Sequence, residues 1–245
     1  MLPFDGLWHH AAHRKYKEVI LFVHHFRGDR SQLKRHIDFV NELGFDAISF
    51  NLSFNKKTIP SRIPWDSEQN FGYLNVWKEE ISHIMNSISD PIIVYSFSSI
   101  SSAALMAIGD RSANYVSAFI CDSGPFIDSI RCFWNLYTHG YKTESLIKRS
   151  ALTLSTIALY GLKKKDLIDS AMHKVPARLP ILSIRGWKDP LVPYDAIDGF
   201  FKPYEHLNLE VLALPEAKHI DGLKNFPEDY KPRVQGFLEG NSQNY

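Results

Sequence analysis

The chain has 245 residues, of which 44% are hydrophobic and 22% are charged. This length is typical of one large α/β domain, and the composition excludes a disordered chain, a collagen-like repeat and a coiled coil. The 28 basic and 27 acidic residues leave a formal net charge of +1. A balance of this kind gives no indication of nucleic-acid binding.

Short apolar runs alternate along the chain with segments of helical periodicity, which is the pattern of βαβ units. The predicted strands are residues 19–23, 47–52, 92–96, 116–121, 180–184 and 210–214. The predicted helices are residues 31–43, with Gly44 as the C-cap, and residues 77–88, 100–108, 195–201 and 229–238. The pattern predicts an α/β fold with a mostly parallel sheet of about six strands flanked by helices.

The alternation of strands and helices breaks once, between residues 124 and 176. Two helical segments, 127–137 and 144–160, lie in this stretch. We expect a single domain over residues 1–245, with a core of 18–123 and 177–240 and a short helical cap inserted at 124–176. Such an insertion would cover the carboxyl edge of the sheet, where open α/β sheets bind ligands. We expect its aromatic residues to pack within the insertion. If the insertion covers a site, they would also line an apolar pocket there. These residues are Phe126, Phe133, Trp134, Tyr137 and Tyr160.

The sequence carries no motif of a membrane protein, a secreted protein or a cofactor site. No segment reaches the roughly 18 apolar residues of a transmembrane helix, and the amino terminus does not have the pattern of a signal peptide. The two cysteines, Cys121 and Cys132, have no zinc or disulfide spacing. There is no G-x-G-x-x-G motif and no phosphate loop. We expect a cytoplasmic protein without a membrane span, cofactor or metal.

A buried strand leads directly into a helix of small residues around Ser96 and Ser98. This is the context of a nucleophile elbow, in which a serine occupies a strained turn between a strand and a helix. An elbow centred on Ser98 has Ser96 before it and the bulky Ile100 after it. An elbow centred on Ser96 has the bulky Val94 before it and Ser98 after it. The number of apolar strand residues favours Ser98 as the nucleophile and leaves Ser96 as the alternative.

The elbow segment resembles that of the α/β-hydrolase family, whose pattern is G-x-S-x-G, without the two glycines. The segment from Gly186 to Pro193, GWKDPLVP, is similar to the acid loop of that family, and the resemblance implies Asp189 as the acid. His219 follows the last predicted strand and resembles the histidine loop. The resemblance implies His219 as the general base of a Ser-Asp-His triad.

The loop after the first predicted strand, HHFRGD, resembles the H-G-x-x-G oxyanion loop of the same family, with His25 in place of the first glycine. The match implies an oxyanion hole formed by the backbone N–H groups of Phe26 and Ser99. A side chain at position 25 is unusual in such a loop, because the family places a glycine there.

The resemblance covers residues 18–238 and implies an α/β-hydrolase domain without the usual first strands of the family. It implies a serine hydrolase that cleaves a small-molecule carboxylic ester or thioester through an acyl-serine intermediate. A fatty-acyl thioesterase or acyltransferase is the closest variant, and a C–C bond hydrolase would use the same triad. The competing class is a non-catalytic ligand-binding protein on the same fold, which the missing elbow glycines and His25 favour.

Overall fold

The computed structural model describes residues 2–54, 72–110, 116–161 and 164–245. The strands are β1 (Leu7–His9), β2 (Val19–Val23), β3 (Asp46–Ser49), β4 (Ile92–Phe97), β5 (Val116–Asp122), β6 (Pro180–Gly186) and β7 (Asn208–Leu214). They form one sheet in the order β1-β3-β2-β4-β5-β6-β7. β1 runs antiparallel to β3, and the other neighbouring strands are parallel.

The six predicted strands correspond to β2 to β7, which confirms the mostly parallel sheet. The sheet also has a seventh strand, β1, which was not among the predicted strands. β1 is three residues long, pairs with β3 at one edge of the sheet and leaves Leu7 and Trp8 exposed. A strand this short at a sheet edge has too few residues to show an alternating pattern.

Helices cover both faces of the sheet. Their bounds are α1 (Lys34–Leu43), α2 (Tyr73–Asn86), α3 (Ser101–Gly109), α4 (Ser129–Asn135), α5 (Leu146–Tyr160), α6 (Lys164–Met172), α7 (Tyr194–Phe201), α8 (Gly222–Asn225) and α9 (Pro227–Gly240). One hydrophobic cluster contains α1, α8 and α9, and the other contains α2, α3, α6 and α7. Gly44 ends α1 with φ 104°, as the sequence predicts. No described helix is long and apolar enough to cross a membrane.

Strand β4 lies near the middle of the sheet, and all of its side chains are buried. Ile92 and Val94 belong to one hydrophobic cluster, whereas Ile93, Tyr95 and Phe97 belong to the cluster on the opposite face. A strand buried on both faces has a continuous apolar sequence rather than an alternating one. This explains the unbroken apolar run that precedes Ser96 and Ser98.

The segment between β5 and β6 is helical, as predicted, but its helices differ from the expected two. The helix expected at 127–137 consists of α4, whose first turn is capped by Asp128, followed by a π-helical turn at Leu136–Gly140. The helix expected at 144–160 is α5. α6 was not among the predicted helices.

The sheet order places a crevice at the carboxyl ends of β2 and β4. After β2 the chain adds β3 on one side, and it then returns to add β4 on the other side of β2. The loops that follow β2 and β4 therefore leave the sheet in opposite directions. Open α/β sheets bind ligands at such a switch point.

Candidate active site

Ser98 occupies the turn between β4 and α3. Its backbone φ is 56°, a left-handed conformation that residues with a Cβ rarely adopt. The turn continues as one 3₁₀ segment, Ser98–Ile100, directly into α3. Strained backbone of this kind is characteristic of a nucleophile elbow, because it lifts the serine side chain above the sheet edge.

The close packing around this turn depends on Gly124, which lies in the loop after β5. A Cβ atom on Gly124 would lie 2.2 Å from the carbonyl oxygen of Ser98. Ile100, the bulky residue that takes the place of a family glycine, is buried in the hydrophobic core with 1% of its surface exposed. The elbow therefore accommodates Ile100 by burying its side chain in the core. The glycine that allows another segment to approach the elbow closely is Gly124, in the neighbouring loop.

Ser96 lies within β4 rather than at the turn. It pairs with Val23 and Cys121 on the neighbouring strands and has no exposed surface. Its hydroxyl donates to Oγ of Ser101 at 2.8 Å. Because Ser96 is enclosed by the sheet and Ser98 lines a cavity, we carry only Ser98 forward as the candidate nucleophile.

Asp189 lies in the turn after β6 with its side chain almost fully buried. Oδ1 accepts hydrogen bonds from the backbone N–H groups of Leu191 at 2.8 Å and Val192 at 2.9 Å. Oδ2 lies 2.7 Å from Nδ1 of His219. A carboxylate can only accept hydrogen bonds, so Nδ1 of the imidazole must carry the proton. Nε2 is then left with a lone pair.

The loops that carry Asp189 and His219 are joined by their backbones. A Cβ atom on Gly186, the last residue of β6, would lie 2.5 Å from the carbonyl oxygen of Ala217. The same carbonyl oxygen accepts the N–H of Lys188 at 3.1 Å. The glycine of the predicted acid loop therefore permits the close approach that brings its aspartate to the histidine.

The loop after β2 is held by a buried histidine. His24 Nδ1 donates to the carbonyl oxygen of His25 at 2.8 Å, and its Nε2 accepts the Leu52 N–H at 3.0 Å. Burial lowers the pKa of His24 to about 4, so the ring is neutral and keeps these roles. The left-handed residue of the loop is Arg27, with φ 56°. The side chain of His25 lies against Gly28, where an added Cβ atom would be 2.8 Å from its ring.

A cavity of about 350 Å³ brings four of the predicted site residues together. Ser98, Ser99, Phe26 and His219 all line it. The apolar part of its wall is formed by Phe126, Cys132, Phe133, Leu136, Leu191 and Val192. The insertion thus supplies part of the wall, whereas two of its aromatic residues pack elsewhere: the Tyr160 hydroxyl donates to the carbonyl oxygen of Ser99, and the Tyr137 hydroxyl bonds with Thr156.

The sequence analysis missed Asp122 and Ser123, which follow one another at the carboxyl end of β5. The Ser123 hydroxyl donates to Asp122 Oδ1 at 2.9 Å and accepts the backbone N–H of Ile220 at 2.9 Å. Burial raises the pKa of Asp122 to about 6. A carboxylate and a hydroxyl directly after a buried strand are the signal that could have indicated them. Within the described residues, no three histidine, cysteine or acidic side chains are grouped as metal ligands would be.

Solved structures of low sequence identity share this fold. An esterase from Pyrococcus furiosus aligns with a TM-score of 0.70 and 17% identity over 97% of this chain and 86% of the esterase. A monoacylglycerol lipase from Paleococcus ferrophilus aligns with a TM-score of 0.65 and 14% identity, over 97% of this chain and 98% of the lipase. An α/β hydrolase from a deep-sea metagenome aligns with a TM-score of 0.59 and 15% identity, over 98% and 96%.

No protein-family model matches the sequence, and neither does any curated protein sequence. The structural likeness is nevertheless extensive, since each of these alignments covers nearly all of the chain. The chain therefore has the α/β-hydrolase fold, as its strand order and its loops at the carboxyl edge of the sheet indicate.

Proposed function

We propose that this protein is a serine hydrolase that cleaves a carboxylic ester or thioester through an acyl-serine intermediate. The observation that carries the proposal is that Ser98, on its left-handed turn, and His219, which is hydrogen-bonded to the buried Asp189, line one cavity. A nucleophile, a base and a group that orients the base are the parts that this chemistry needs.

In the first half of the reaction, Oγ of Ser98 attacks the carbonyl carbon while Nε2 of His219 takes the hydroxyl proton. Asp189 holds the Nδ1–H and stabilises the imidazolium that forms. The bond from the carbonyl carbon to the alcohol or thiol then breaks. The leaving group departs with the proton from His219, and the acyl group remains on Ser98.

In the second half, His219 takes a proton from water, which attacks the acyl-serine and releases the carboxylic acid. Ser98 regains its proton from His219. Each half passes through a tetrahedral oxyanion, for which we propose the backbone N–H groups of Phe26 and Ser99 as donors. Their place on the cavity wall beside Ser98 supports this role.

The composition of the cavity wall supports an acyl chain as the part of the substrate that is bound there. Phe133 of α4 lies with its ring centre 6.0 Å from that of Phe26 and 5.7 Å from that of Phe126. These rings offer apolar surface next to the candidate nucleophile. The esterase and the monoacylglycerol lipase of similar fold support an ester, and a fatty-acyl thioester would fit the same wall.

Labelling with a fluorophosphonate probe tests the proposal, because the probe reacts with an activated serine. We expect mass spectrometry to find the adduct on Ser98 in the wild-type protein and to find no adduct in Ser98→Ala. Ser96→Ala is the matched control: it removes a hydroxyl two residues away that lies inside the sheet, so the adduct should persist.

The variant His219→Ala should lose turnover of short acyl esters by on the order of 10³-fold or more, because the serine proton then has no acceptor. Circular dichroism would show whether the variant keeps its fold. A folded wild-type protein that forms no adduct and turns over no ester or thioester would instead be a ligand-binding protein on this fold.

A further inference from the structure

A path of hydrogen bonds leads from the core to the loop that carries His219. The hydroxyls of Tyr95 and Tyr230 are hydrogen-bonded to each other, and the Tyr230 hydroxyl donates to Asp122 Oδ2 at 2.9 Å. Asp122 Oδ1 accepts the Ser123 hydroxyl, whose oxygen in turn accepts the backbone N–H of the residue directly after His219. The path therefore ends on the peptide group that joins His219 to Ile220.

The two residues joined by the last of these bonds are both strained. Ser123 has φ 58° and Ile220 has φ 52°. A β-branched residue in the left-handed region is a rare outlier. Such a conformation persists only where the surrounding contacts hold it in place. The hydrogen bond from the Ile220 N–H to Ser123 Oγ is a contact of this kind, and it acts on the peptide that follows His219.

The direction of each hydrogen bond follows from the buried carboxylate. Asp122 is 2% exposed and Ser123 is 1% exposed. Since burial raises the pKa of Asp122 to about 6, the group is ionised at neutral pH and can only accept. The Ser123 proton therefore points to Asp122. This leaves a lone pair of Ser123 Oγ for the Ile220 N–H.

We propose that Ser123, oriented by Asp122, is a positioning residue for His219. The inference rests on the proposed function, in which His219 is the general base. The histidine is held at two points: Asp189 holds its ring through Nδ1, and Ser123 holds the backbone on its carboxyl side. Loss of the hydrogen bond to Ser123 would let the His219 ring move away from Ser98. A displacement of about 1 Å is sufficient to slow an enzyme by about 100-fold.

Two substitutions at Ser123 separate the effect of its hydroxyl from the effect of its backbone conformation. Ser123→Ala removes the hydroxyl and keeps the Cβ, whereas Ser123→Gly removes the hydroxyl and suits a positive φ. We expect both to lower kcat for a short acyl ester by on the order of 10- to 100-fold with KM unchanged. The matched control is Ser87→Ala, which removes a hydroxyl that donates to the Ile84 carbonyl at the end of α2; its kcat should equal that of the wild type.

Proton NMR gives a readout that does not require turnover. The Nδ1–H that His219 shares with Asp189 should give a downfield resonance in the wild type, which broadens or disappears in Ser123→Ala and Ser123→Gly. Urea unfolding would verify that both variants are folded under these conditions. A role in folding alone would lower the unfolding midpoint and leave kcat and the resonance of the folded protein unchanged.

The outcomes separate this inference from the proposed function. Wild-type kcat and an unchanged resonance in Ser123→Ala would overturn the positioning role while the hydrolase function stands. Retained kcat in Ser123→Gly with loss in Ser123→Ala would also overturn it, because backbone conformation alone would then matter. A wild type with the resonance but without ester turnover and without an adduct on Ser98 would overturn the proposed function itself.

Discussion

At the scale of single residues, Asp189 shows how two hydrogen bonds fix the role of a third. Oδ1 accepts the Leu191 and Val192 N–H groups, so only Oδ2 is directed to His219. An asparagine at this position would keep its carbonyl oxygen at the two N–H groups, since its NH₂ group cannot accept. The NH₂ group would then face Nδ1 and force the imidazole into the other tautomer.

Asp189→Asn should therefore lower kcat by on the order of 10³- to 10⁴-fold, because Nε2 would carry a proton and could not accept one from Ser98. The free energy of unfolding should change little, as the variant keeps the shape of the side chain. Steady-state ester hydrolysis and urea unfolding measure the two effects. Asp38→Asn, at an exposed position on α1, is the control, and equal rates in the two variants would exclude Asp189 as the acid.

At the scale of elements, the sequence predicts those strands and turns that have a local sequence pattern. The apolar runs identify β2 to β7, and Gly186 at the end of β6 and Asp189 in the turn after it are both visible in the sequence. Local sequence does not show β1, which is too short to have a pattern. It also does not show why the elbow tolerates Ile100, because the glycine that meets Ser98 is Gly124, a residue of the loop after the next strand.

The contact between these two loops leads to a prediction about Gly124→Ala. The added Cβ would lie 2.2 Å from the carbonyl oxygen and 2.5 Å from the carbonyl carbon of Ser98, so backbone must move. We expect a loss of about 2 kcal/mol or more in the free energy of unfolding, together with slower probe labelling of Ser98. Labelling rates and urea unfolding measure both.

Gly236→Ala on α9 is the matched control for this substitution. A Cβ at that position would meet no atom within 4 Å. The change from glycine to alanine inside a helix should raise the free energy of unfolding by about 0.5 to 1 kcal/mol and leave labelling unchanged. If Gly124→Ala behaves in the same way as this control, the elbow does not depend on the close approach.

At the scale of the whole molecule, buried histidines connect the stability of the fold to pH. His36 of α1 packs with its ring centre 4.8 Å from that of Phe97 and 5.7 Å from that of Tyr95. Within the described part of the chain, neither ring nitrogen has a hydrogen-bond partner. Burial lowers the pKa of His36 from 6.5 to about 3. The folded protein therefore keeps this ring neutral at pH values where the unfolded chain is protonated.

This difference makes the stability depend on pH with a definite sign. The contribution of His36 is fully present above pH 6.5 and is lost as the pH falls toward about 3, because only the unfolded chain takes up the proton. Between pH 6.5 and roughly pH 4.5 the loss is on the order of 2 to 3 kcal/mol. Asp122, whose pKa is raised to about 6, acts with the opposite sign over part of this range.

The variant His36→Leu isolates this contribution, since Asp122 is present in both proteins and its effect cancels in the comparison. We expect the free energies of unfolding of the two proteins to lie within about 1 kcal/mol at neutral pH. As the pH falls, the wild type should lose stability faster, so that His36→Leu is the more stable protein at roughly pH 4.5. Urea unfolding at a series of pH values measures the difference. Parallel curves for the two proteins would show that His36 takes up its proton equally well in the folded and unfolded chain, and would contradict its enclosure between α1 and the sheet.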